Sequence, residues 1–348
     1  MASIVIAGAE RTRVVARSGR RLSLALAALV VMAASTSAST PALAQSIALA
    51  RTIPLAGVGG RLDHMDIDAK GGRLFLAALA AGSLEVVDLN AGRRLERITG
   101  LVEPQGVVYL DAMRRVVVAS GGSGRVDAYD EIGPAEAASV DGLEDADNLR
   151  FDEQAGQVLV GYGRALAVLD PQTLRVVKRI RLPGHPEAFE TDAGGRYVYV
   201  NVPSASLIAV LDRRDDKIGA TWTVSGGAGN FAMALDRASH RLFVATRRPA
   251  MLLVYDTDRG KKTTELPLCG DADDLFFDAE RRQLYAVCGE GVVEVVHQRD
   301  ADRYETSARV QTSPGARTGL FVARLSTLFV AVPARAGAAA EIRAYRIQ

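Results

Sequence analysis

The sequence predicts an all-β fold, a seven-bladed β-propeller of four-stranded antiparallel blades closed by pairing the N-terminal strand with the C-terminal blade. Three observations carry that expectation. A segment of about forty residues recurs seven times, which is the period of a propeller blade. Each copy breaks into short β-branched and aromatic runs separated by turn residues, with no amphipathic helical stretch between them. The two ends of the array carry complementary, incomplete pieces of one copy.

The template copy, residues 270–296, reads as three strands joined by tight connections. Aligning the copies on the aspartate that ends the first strand brings Asp68, Asp111, Asp152, Asp192, Asp236 and Asp278 into register, with Ala323 at the same place in the seventh copy. Successive spacings are 43, 41, 40, 44, 42 and 45 residues. The run before the aspartate is the innermost strand. The aspartate makes the turn, because its carboxylate can accept from backbone amides just downstream and the following Gly, Arg or Ala suits the bend. A β-branched second strand follows, as in Tyr197-Val198-Tyr199-Val200. The third strand usually ends in another aspartate (Asp88, Asp170, Asp212, Asp256) with the same turn-forming role. A more polar fourth strand, such as 175–180, completes the copy. After 325–332 and 342–347 the chain stops one strand short of a seventh blade, and Ile47–Leu55 is an unassigned strand near the other end. Pairing the two closes the ring without an open edge.

Residues 1–44 read as a cleaved secretory signal: five arginines within 1–21, an apolar run at 22–34, and Ala42-Leu43-Ala44 as the cleavage site. The apolar run is shorter than the roughly 20 residues that span a bilayer, so no membrane anchor is expected after cleavage. The mature chain, 45–348, is expected to be a single monomeric domain in the periplasm or secreted. Losing the signal lowers Lys+Arg from 42 to 37 and Asp+Glu from 41 to 40, for a net charge near −3. With no basic stripe and 5% aromatics, a nucleic-acid partner is not expected. Cys269 and Cys288 fall in the same copy, where hairpin counting puts Cys288 roughly opposite Asp273. A disulfide and two inert thiols both remain open.

Tyr197-Val198-Tyr199-Val200-Asn201, followed by Ile208-Ala209-Val210-Leu211-Asp212, resembles the YVTN repeat of seven-bladed, YncE-like propellers of bacterial secreted and surface proteins. The likeness covers residues 47–348. It implies the fold and says little of activity, since such propellers serve as binding modules, scaffolds and occasionally enzymes. Some relatives bind DNA, a role that the charge balance here disfavours.

In a propeller the outer-to-inner connections and the second-to-third loops gather at one end of the channel, the top, while the repeated aspartates lie at the bottom. The top residues are not turn formers in register, and a hydrophobic core needs none of them. Candidate ligand-binding residues are Asp63, His64, Asp147, Asn148, His185, Glu187, Asn230, Asp273, Asp274 and Arg317, with Tyr162 and Arg247 from the loops. Glu187, Asn148, Asn230 and Asp274 are candidate oxygen ligands for Ca²⁺, similar in residue type to the ring that gluconolactonase and paraoxonase propellers use. His64 and His185 with carboxylates would suit Zn²⁺. The expected function is a binding or scaffold module for a small polar ligand or a periplasmic protein. The alternative is a lactonase-like, metal-dependent hydrolase with His64 or His185 as general base. No G-x-S-x-G or C-x-x-C-H motif is present.

Overall fold

In the computed structural model, which describes residues 47–130 and 135–348, seven four-stranded antiparallel sheets follow one another along the chain. The expected signal segment, 1–44, lies outside the described residues. Blade 1 spans 65–99, blade 2 104–140, blade 3 149–181, blade 4 189–223, blade 5 228–267 and blade 6 272–311. Blade 7 combines three C-terminal strands within 319–347 with the strand Ile47–Leu55 as its outermost member. Ile47 lies opposite Ile347 and Leu55 opposite Ala340, so the ring closes as the sequence predicts.

The strand composition follows from where each strand sits. In Arg73–Ala78, the second strand of blade 1, all six residues are buried. Leu74 and Leu76 pack towards blade 7, and Phe75 and Ala77 towards blade 2. Because the side-chain period is two, a strand covered on both faces must be apolar throughout. The fourth strand, Arg93–Thr99, has one covered face at most and is largely polar. Among the described residues the core divides into seven apolar clusters, each bridging one neighbouring pair of blades. The cluster joining blade 7 to blade 1 includes Ile53 and Leu55. Closure is therefore a packed interface as well as a ladder of hydrogen bonds.

The aspartates at the lower turns act locally. Asp236 Oδ1 accepts from the amides of Ala238 and Ser239, both at 3.1 Å, and Asp88 Oδ1 from Asn90 and Ala91 at 2.8 and 2.9 Å. Asp111 differs: it opens a short 3-10 turn, Asp111–Met113, and its side chain pairs with Lys70. In blade 6, Cys269 and Cys288 are joined in a disulfide. Cys288 lies opposite Ala272 rather than Asp273, because a bulge between Ala272 and Asp274 shifts the pairing by one residue. The first strands line a central channel of about 180 Å³, with Met65, Val108, Leu149, Met233 and Leu320 among its walls.

Candidate functional site

The upper mouth is built by one structural device used in several blades. Just before the first strand, the chain continues the ladder for one more pair. The Asp63 amide donates to Ala77 O (2.8 Å), Asp147 to Gly161 O (2.9 Å) and Glu187 to Asn201 O (3.0 Å). These bonds hold three carboxylates at equivalent places in blades 1, 3 and 4. In blade 6 the bulge puts Asp273 at the same level. All four line one cavity with Arg61, His64, Asn148 and Phe231. The cavity offers about 20 Å³, room for one water or ion.

Arg61 is a residue of the mouth that sequence reasoning missed. Its guanidinium lies 2.9 Å from Asp63 and 3.9 Å from Asp273. Its signal was its position, two residues before Asp63 in the same connection. Arg247 extends the network: it pairs with Asp273, lies 3.2 Å from Asp271, and stacks 3.7 Å above the Phe231 ring. Arg317 joins through Asp271 at 3.0 Å, outside the cavity itself.

Burial and crowding shift the protonation states. Burial, then the neighbouring Asp147, pushes the Glu187 carboxyl up to about 8. Asp63 rises to about 7 through burial, against the pull of His64 and Arg61. His64 sits between two carboxylates, Nε2 3.6 Å from Asp63 and Nδ1 3.6 Å from Asp274. Burial alone would lower it, but Asp274, with Asp63 and Asp147 behind, raises it to about 10. His185 rises to about 8, burial being outweighed by Asp147, Glu187 and Asp145. The mouth thus crowds Asp63, Asp147, Glu187 and Asp273 together, and burial with that crowding favours the protonated form of Asp63 and Glu187.

Not every candidate joins this cavity. Asn230 is fully buried and turned sideways between blades 4 and 5: its amide donates to Asn201 Oδ1 and to Leu207 O, both at 3.0 Å. Asp274 accepts from the Gly319 amide at 2.8 Å and faces the channel below, alongside His64. Neither lines the cavity that Asn148 and Glu187 share, so the four candidate Ca²⁺ ligands are not gathered in one place. The reason is the pleat: neighbouring residues project to opposite sides, and a bulge between Asn230 and Met233 reorients that strand. Tyr162 packs against the core between blades 2 and 3. Three residues do gather: one ligand atom each from Asp147, His185 and Glu187 lie within 4.8 Å of one another. His240 lies elsewhere, exposed and 3.0 Å from Asp258.

A larger hollow, about 750 Å³, opens between blades 4 and 5 at the lower end, with Tyr197 and Trp222 in its walls. Its cations are all engaged: Arg196 with Asp212, Arg237 with Glu190, Arg259 with Asp256 and His240 with Asp258. Size alone does not make a site, and the buried carboxyls with raised pKa values, Asp63 and Glu187, are at the upper mouth.

No family model and no curated protein matches the chain. Among solved structures, a chain from one titled "Crystal Structure of Mitotic Checkpoint Complex" is similar, with a TM-score of 0.72 and 11% identity over 93% of this chain and 99% of that one. At that identity the likeness shows the fold: the chain is a seven-bladed β-propeller, a fold commonly used for binding and scaffolding.

Proposed function

We propose that the chain is an exported, YncE-like propeller of the YVTN type, with a mature domain of residues 45–348, acting as a monomeric binding module in the periplasm or outside the cell. Its ligand site is the upper mouth, and the ligand presents a small positively charged group. One observation carries this reading. Asp63, Asp147, Glu187 and Asp273 converge from four blades on one cavity lined by Arg61 and His64, with Arg247 and His185 reaching Asp273 and Asp147 from beside it. Such a cavity favours added positive charge, whether a proton or a ligand's cationic head. Its size admits an ion or an ammonium group, so the bulk of any larger ligand lies over the rim. A protein partner offering a lysine side chain meets the same requirement, and the similar solved chain comes from a structure of a complex.

The disulfide suits an oxidising compartment, and no helix among the described residues is long and apolar enough to cross a membrane. A nucleic-acid partner remains unexpected, because a mature charge near −3 gives little counterion release on binding. The lactonase-like alternative is weakened at His64 and by the size of the cavity. His64 is held protonated by its two carboxylates, which leaves no lone pair for general-base work, and the cavity has no room for a lactone ring.

The test is thermal melting of the mature chain at low salt with putrescine, ZnCl₂ and CaCl₂, and sodium acetate as the anionic control. At least one cationic probe should raise Tm, by about 5 °C at a hundredfold excess over its Kd. Glu187→Gln should remove most of that rise. No response to any cation, or an equal response in the variant, overturns the reading.

A further inference from the structure

We infer that Asp147, His185 and Glu187 form a binding site for a single divalent transition-metal ion of the zinc type, a site that rests on the upper mouth being the ligand site proposed above. Their ligand atoms lie within 4.8 Å of one another. His185 Nε2 is 3.7 Å from Asp147 Oδ2. Two donors at that separation reach a common ion about 2.0–2.2 Å from each with a small inward movement.

The imidazole is oriented for this role. His185 Nδ1 is 3.1 Å from Gly163 O, and a carbonyl can only accept, so Nδ1 carries the proton. Asp145 Oδ2, 3.2 Å from the same nitrogen, reinforces that tautomer. Nε2 then faces Asp147, and an ion binding there takes the place of the second proton that the surrounding carboxylates favour on the ring. Holding one ring nitrogen by a carbonyl or carboxylate while the other faces the ion is how metal-binding histidines are set. The backbone at the two carboxylate residues is anchored, because the amides of Asp147 and Glu187 donate to Gly161 O and Asn201 O on the second strands of blades 3 and 4. Two of the three donors thus branch from anchored backbone two residues ahead of the inner strands, and His185 from the connection just before Glu187.

A separate observation points to an occupant. Asn148, 3% exposed, lines the cavity that Asp147 and Glu187 share, and its side-chain oxygen is buried without a hydrogen-bond partner. Leaving a buried acceptor unsatisfied costs about 1–3 kcal/mol, and a cation in the cavity satisfies it. Two carboxylates neutralise a divalent charge, and one imidazole selects a first-row transition ion over Ca²⁺, which prefers six to eight oxygens. His185 and Asp147 keep partial solvent exposure, 25% and 13%, so an ion can enter from the rim.

The experiment uses the mature chain without a histidine tag, stripped with EDTA and titrated with ZnCl₂ against a chromophoric chelator. One equivalent should bind, and CaCl₂ should not displace it. His185→Gln and Glu187→Gln, near-isosteric changes checked by circular dichroism, should each weaken binding by more than the roughly 10–100-fold typical of losing an outer-shell partner. His240→Ala, at the remote Asp258 pair, should leave binding unchanged. Absence of stoichiometric zinc binding in the wild type, or its retention in both glutamine variants, overturns the site. A wild type that responds to putrescine but not to zinc sinks the metal site and leaves the cation-binding mouth standing. Silence towards both sinks both.

Discussion

The two ends of the channel use the same residue type for opposite purposes. At the lower end the turn aspartates, Asp111 apart, are served by their own turns. Asp68 Oδ1 accepts from the Gly71 amide at 2.8 Å and its Oδ2 from Arg73 at 2.6 and 3.0 Å. Burial pushes the Asp68 carboxyl up, but the amide and the guanidinium together hold it below its ordinary value. At the upper end Asp63 and Glu187 share too few donors with too many neighbouring carboxylates, and both are raised. A carboxylate whose donors lie within a few residues stabilises a turn and repeats with the blade. A carboxylate whose neighbours come from other blades is held in an unsatisfied state that a ligand can relieve.

Three measurements would break or sharpen this contrast. The largest effect belongs to the lower end. Asp68→Ala removes the partner of Arg73, which is itself 9% exposed, and should cost about 3–5 kcal/mol in equilibrium urea unfolding. Asp68→Asn, which keeps an acceptor for Gly71, should cost less. An alanine variant as stable as wild type would show that the turn aspartates are not structural.

The second measurement concerns pH. His64 is raised from its ordinary value to about 10, so its pairing with Asp274 and Asp63 contributes stability that is complete below about pH 6.5 and lost as pH rises through 10. Unfolding followed from pH 7 to 10 should show a loss on the order of 2–3 kcal/mol. In His64→Asn the slope should flatten. An unchanged slope in that variant would mean that His64 is not held as an imidazolium.

The smallest effect is expected at the mouth. Asp273→Asn loses its pairing with Arg247 and its approach to Arg61, but it also relieves repulsion from Asp274. Stability in the same urea experiment should move by no more than about 1 kcal/mol. A loss as large as that of Asp68→Ala would erase the difference between the two ends.

The legible parts of this protein are those encoded within a blade. The spacing of Asp68, Asp111, Asp152, Asp192, Asp236 and Asp278 marks the turns. The apolar runs mark strands covered on both faces, and Ile47–Leu55 is the strand that the C-terminal blade lacks. The site was legible only as a level of the ring. Asp63, His64, Asp147, Asn148, Glu187 and Asp273 were all read from their places ahead of the first strands, and all six line the mouth. Asn230 and Asp274 were read in the same way and turn elsewhere, because bulges within their own ladders decide which way a neighbouring side chain projects. Arg61 escaped because nothing local distinguishes it from a surface arginine. Its local partner is Asp63 at 2.9 Å, but its place between blades comes from Asp273, more than two hundred residues further along the chain.

By itself the sequence determined the number of blades, the strand order within each and the strand that closes the ring, since these follow from periodicity, turn chemistry and burial on two faces, all local properties. Only the tertiary structure decided which polar groups meet. Ring closure sets residues from blades 1, 3, 4 and 6 within a few ångströms of one another, and electrostatic interaction depends on that distance and on burial, neither of which is written in any single stretch of chain.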